Sequence, residues 1–146
     1  LSSEDRFISD RDTLIFCLSS SYWKPGAISV IADAIGANDY SFKPGYSLNE
    51  TKNDYEMKNY TIENDKKYLI PFVKAGMKYQ PNLKVWGSPW SPPTWLKTSG
   101  NSLTNGKYQM DDQSFTAYAL YFAKAVQAFQ KEGLNYFAVA PQNEPF

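Results

Sequence analysis

The sequence predicts an α/β fold that forms part of a (β/α)8 barrel, and three observations predict it. Short apolar stretches alternate with two amphipathic helical stretches in the order strand, helix, strand, helix, strand. The apolar stretches are nearly continuous, as expected for parallel strands buried on both faces. Each is followed by polar or unusual residues, Asn38-Asp39, Trp90 and Asn143-Glu144, and a barrel of this kind keeps its chemistry at the C-terminal ends of its strands. A complete barrel takes about 250 residues, so this chain supplies about three of the eight units. A doubly wound sheet would share the order, but no Gly-rich phosphate loop follows the first strand.

The first strand is read at Ile28-Ser29-Val30-Ile31, after a loop containing Ser19-Ser20-Ser21 and Pro25-Gly26. Gly36 to Tyr40 form the loop after it. Residues 41–60 are polar and rich in Tyr and read as a long surface excursion. A helix is expected from Glu63 to Tyr79, with Tyr68, Leu69, Phe72, Val73, Gly76 and Met77 on one face. Pro71 should kink it or mark a restart. Leu83 to Gly87 is the second strand, and it runs into Ser88-Pro89-Trp90-Ser91-Pro92-Pro93-Thr94-Trp95. Pro89, Pro92 and Pro93 forbid regular structure there and make a stiff loop. The next helix is expected to be capped by Ser114, striped by Phe115, Tyr118, Phe122, Val126 and Phe129, and stopped by Gly133. Tyr136 to Ala140 is the third strand.

Composition excludes several chemistries. With no His, the chain holds no Ser-His-Asp or Cys-His arrangement and no His-ligated zinc. Cys17 lies in the apolar run Leu14 to Leu18 and reads as a buried, inert thiol. The 15 basic and 15 acidic residues cancel, so no field of one sign draws nucleic acid or an anionic membrane. No apolar run reaches the roughly 20 residues of a membrane span. No signal peptide is visible, but Leu1 is not an initiator Met, so residues are expected ahead of it. The sequons Asn49-Glu50-Thr51 and Asn59-Tyr60-Thr61 permit N-glycosylation in a secreted or lysosome-like setting. Aromatics make up 16%, which suits stacking on the apolar faces of sugar rings and equally suits a large aromatic core.

Glu144 carries the chemical argument. A carboxyl group at a strand end, between Asn143 and Pro145, sits at the barrel mouth. Glycoside cleavage needs one such group to protonate the departing oxygen and a second on the other face of the sugar. Asn143 could bond the sugar 2-OH, a contact that strengthens in the transition state. A Pro-framed loop presenting Trp90 is suited to a sugar platform, whereas Trp95 reads as a packing residue. The competing reading makes Glu144 a surface loop residue and both Trp side chains packing residues.

The run Gly87 to Thr98, followed about 50 residues later by Asn143-Glu144-Pro145, resembles glycoside hydrolase family 30, which includes glucosylceramidases and endo-β-1,6-glucanases. Ile35 to Ser41 is similar to the loop after that family's second strand, and Asp54-Tyr55-Glu56 and Asp65 to Pro71 match its pattern too. The resemblance is good over 35–146 and poor over 1–34. It implies a single catalytic barrel domain running through 1–146, roughly its strands two to four with their helices. It implies that Glu144 is the acid/base at the end of the fourth strand, that Asn143 binds the 2-OH, and that Asp39 and Trp90 line the sugar subsite. It implies no metal and no organic cofactor.

The implied activity is a retaining β-glycosidase acting on glucosylceramide-like β-glucosides. An endo-β-1,6-glucanase, or a degenerate carbohydrate-binding fragment without catalysis, is the alternative. Two departures bear on this choice. The family's Arg-x-Pro before Ile-Gly is replaced by Ala32-Asp33-Ala34, and the family's Phe-Gly-Gly first strand is missing. The family's nucleophile, a Glu on strand seven, is expected beyond residue 146.

Overall fold

The computed structural model describes residues 30–37, 45–98 and 106–143. The readings placed on 1–29, on Asp39 and on Glu144 lie outside them. Within them three strands, β1 (Val30–Ala34), β2 (Lys84–Ser88) and β3 (Tyr136–Val139), form a parallel sheet in the order β1-β2-β3. Between them lie the helices α1 (Glu63–Lys67), α2 (Leu69–Tyr79) and α3 (Asp112–Lys131). This is the β/α alternation of a barrel segment, and among the described residues both edges of the sheet are open.

β1 extends further along the chain than its apolar run. Its register with β2 pairs Ala32 with Trp86, Asp33 with Gly87 and Ala34 with Ser88. Ala and Asp are weak strand formers alone, and pairing to a central strand overrides that preference. The sheet buries one face against the helices, where Ile35, Val85 and Phe129 share a core with Val73, Tyr121 and Leu134. The other face carries Val30 and Ala32, both exposed. In a closed barrel that face is the inner wall.

The helix expected at 63–79 is two helices, broken at Tyr68 (φ −129°, ψ −62°). Pro71 is the third residue of α2, where its missing N–H is one that the first turn leaves unused. It therefore marks a restart. The buried face of α2 is Ile70, Val73 and Gly76, and Tyr68 is exposed.

The cap of α3 is Asp111. Its Oδ1 accepts from the Ser114 N–H at 2.8 Å, and the Ser114 hydroxyl donates to Oδ2 at 2.8 Å. Ser114, three residues in, is the buried partner of the cap. The buried stripe of α3 is accordingly turned about the axis to Ser114, Ala117, Tyr121, Ala125 and Phe129, while Phe115 is exposed. The far end behaves as expected. Gly133 takes φ +84°, its N–H donates to Gln130 O at 2.9 Å, and the Leu134 N–H donates to Phe129 O at 3.0 Å, so the last carbonyls are satisfied and Leu134 packs back on Phe129.

The segment read as a surface excursion is exposed at 50–53 and 56, but it turns inward at 47–49 and at Met57. Leu48, Asn49 and Met57 are fully buried. The Leu48 N–H donates to the Tyr121 hydroxyl at 3.1 Å, and Asn49 O accepts from Trp95 Nε1 at 2.9 Å. Polar composition misleads here because the polar groups find protein partners. Asn49 of the first sequon is tied to Asp54, Met57 and Thr51, whereas Asn59 is exposed.

Candidate active site

The loop after β2 is held rigidly by what surrounds it. Pro89 and Pro93 are fully buried. Trp95 and Leu96 turn down into the core in a short 3-10 turn, Thr94–Leu96. The Trp95 ring meets Tyr55 edge-on at 5.2 Å, which agrees with its reading as a packing residue. Gln109 fastens the loop's far end, its Nε2 donating to Trp95 O at 2.9 Å and to Lys97 O at 3.3 Å. Lys97 is mostly buried, and that burial holds its ammonium below the ordinary value. Trp90 stays partly exposed at the crest of the loop.

The segment after β3 is stitched to this loop. The Ala140 N–H donates to Gly87 O at 2.9 Å, which extends the ladder, and the Asn143 N–H donates to Pro89 O at 3.0 Å. Gln142 Nε2 donates to Trp90 O at 2.7 Å and to Asn143 O at 2.9 Å. From α3, the Tyr118 hydroxyl donates to Pro141 O at 2.8 Å. The structure thus brings Trp90 and Asn143 together at the C-terminal ends of neighbouring parallel strands. Glu144 follows Asn143 directly in the sequence, and Asp39 follows Gly36-Ala37-Asn38 beyond the end of β1.

Below the strand ends lies a buried acidic pair that the sequence reading did not anticipate. Asp33, 2% exposed, accepts from the Tyr136 hydroxyl at Oδ2, 2.5 Å away. Tyr136 is on β3 and Asp33 on β1, with β2 between them. The ring crosses β2 over Gly87, where a Cβ would meet Tyr136 Cε2 at 2.8 Å and Ile35 Cδ1 at 2.9 Å, so only glycine leaves the passage open. Asp65 of α1, also buried, accepts from the Tyr46 hydroxyl at 2.6 Å. Asp33 Oδ1 and Asp65 Oδ2 have no hydrogen-bond partner among the described residues.

Burial pushes the Asp33 carboxyl up to about 7; the Tyr136 bond opposes the rise and the Asp65 charge adds to it. Burial likewise pushes Asp65 up to about 6 against the Tyr46 bond. Burial and these carboxylates push the Tyr46 and Tyr136 hydroxyls far above the ordinary phenol range. Both acids lie on the helix side of the sheet, away from the open face, so they form a structural pair. Ala32, where the family's motif has Arg, is exposed.

Comparison with known proteins places the chain. Residues 14–146 match the model of the glycosyl hydrolase family 30 TIM-barrel domain. The chain belongs to glycosyl hydrolase family 30. It is 37% identical over 116 residues to putative glucosylceramidase 1 of Caenorhabditis elegans, covering 76% of this chain and 22% of that protein. It is 34% identical over 134 residues to lysosomal acid glucosylceramidase of Mus musculus, covering 88% of this chain and 26% of that protein. Among solved structures, the endo-β1,6-glucanase BT3312 superposes with a TM-score of 0.69 at 32% identity, covering 99% of this chain and 31% of that one. This family 30 chain therefore spans between a fifth and a third of the length of these relatives.

Proposed function

We propose that this family 30 segment carries the acid/base half of a retaining β-glycosidase. The observation that supports the reading most is the stitched pair of strand-end loops, with Trp90 on one and Asn143 leading into Glu144 on the other. Trp90 supplies a stacking face, Asn143 bonds the 2-OH, and Asp39 accepts from distal hydroxyls. Glu144 first protonates the leaving oxygen and then deprotonates the water that releases the glycosyl-enzyme. The nucleophile is a second carboxylate about 5–5.5 Å away, supplied by the remainder of the barrel.

Glucosylceramide-like β-glucosides are the favoured substrates, because glucosylceramidases match at the higher identities. The match to an endo-β1,6-glucanase across nearly the whole chain supports β-1,6-glucan as the second reading. A secreted or lysosome-like setting fits both; among the described residues no helix is long and apolar enough to cross a membrane.

The test is Glu144→Ala in the complete barrel. Cleavage of natural glycosides should nearly vanish. On an activated aryl β-glucoside the first step should survive, and added azide should restore turnover as a β-glycosyl azide. An α-glycosyl azide would make Glu144 the nucleophile, and a first-formed α-anomer from the wild type would rule out retention.

A further inference from the structure

We infer that Gln142 is the positioning residue that sets the acid/base segment against the Trp90 loop; the inference rests on the glycosidase reading above. The need for it is visible in the backbone. Pro89 and Pro92 flank the crest of the Trp90 loop, and neither has an N–H to give. A loop of this composition offers mainly carbonyls, so donors must come from the strand beside it. Pro141 gives none either, and its own carbonyl is already taken by the Tyr118 hydroxyl. The Asn143 N–H supplies one bond, to Pro89 O. The next must come from a side chain.

Gln142 supplies it with both amide hydrogens. One is directed at Trp90 O (2.7 Å) and the other at Asn143 O (2.9 Å). Both acceptors are carbonyl oxygens, which only accept, so the orientation of the amide is fixed by its surroundings. The Asn143 carbonyl belongs to the peptide unit that joins Asn143 to Glu144. That unit is planar, so holding its oxygen holds the plane from which Glu144 departs. A single NH2 group therefore references the acid/base segment directly to the loop bearing the sugar platform. Gln142 itself need not touch substrate. Its effect passes through Glu144, and misplacement on the order of 1 Å costs about 100-fold in rate.

The experiment compares leaving groups in the complete barrel. Gln142→Met keeps the length and removes both donors. With an alkyl or glycosyl leaving group, which needs full protonation, kcat/KM should fall about 10- to 100-fold. With dinitrophenyl β-glucoside, which leaves unaided, kcat/KM should change by less than about 3-fold, since that ratio reports the first step alone. Equal losses on both substrates, or no loss on either, overturn the inference, because sugar binding or folding would not distinguish the leaving groups.

Gln142→Glu provides a second reading should Gln142→Met fail to fold. Its carboxylate faces two carbonyls at neutral pH, whereas its acid form donates one bond. Its kcat/KM on the alkyl glucoside, relative to wild type, should recover as pH falls from 7 to 5. A flat ratio overturns the inference. An inactive wild-type barrel instead overturns the glycosidase reading, and the inference with it.

Discussion

Asp33→Asn should change how stability depends on pH, and the structure sets both the sign and the size. The wild-type carboxyl is buried, holds one hydrogen bond from Tyr136, and has a pKa near 7 through desolvation. In the unfolded chain it titrates near 3.9. The folded state therefore binds a proton that the unfolded state releases, and stability falls as pH rises between these values. The full contribution is present below about pH 4 and is gone above about pH 7. Three pKa units at about 1.4 kcal/mol each give about 4 kcal/mol as an upper bound.

Asn carries no charge and accepts from Tyr136 as the carboxyl does. Its amide hydrogens stand where Asp33 Oδ1 has no partner, at a cost of about 1–3 kcal/mol that does not vary with pH. The variant should then be less stable than wild type at pH 4.5 and gain relative to it as pH rises to 8. At about 2–4 °C per kcal/mol, the difference in Tm should move by on the order of 10 °C across that range. Thermal melts of both proteins in the complete barrel, in matched buffers at four pH values, measure this. A constant difference in Tm from pH 4.5 to 8 would refute the assignment of Asp33 as a buried acid neutral at low pH.

Trp90→Ala in the complete barrel should lower kcat/KM while leaving Tm nearly unchanged; an early melt with normal kinetics would make Trp90 a packing residue. Trp95→Ala should do the reverse, destabilising by about 3–5 kcal/mol through the cavity it leaves, as denaturant melts would record. In protein made through a secretory pathway, mass spectrometry should find glycan on Asn59, which is exposed, and none on Asn49, which is buried and bonded through its side chain; occupancy at Asn49 would contradict the packing of that segment.

Motif resemblance indicated the family; the physics of the sequence itself determined the alternation of strands and helices, the stiff Pro loop after β2 and the Gly133 stop. Each rests on covalent or near-neighbour physics: proline's missing donor, glycine's left-handed φ, the period of apolar residues. It also separated Trp95 as a packing residue. Local signals misplaced the cap of α3, because Asp111 and Ser114 are both good capping types and only geometry shows which one accepts. The stripe of α3 was read from its largest apolar residues, yet the buried line also takes in the small residues Ser114, Ala117 and Ala125, which that reading passed over.

The remaining features needed tertiary structure because their partners are far apart in the chain. Gln142 meets a carbonyl 52 positions away, and Asp33 meets a hydroxyl 103 positions away. The Asp33 bond also requires Gly87 on the strand between them to be bare. Burial and hydrogen bonding of a polar side chain belong to the assembled neighbourhood, so the chemical nature of Asp33 and Gln142 was legible in the sequence and their work was decided by the fold.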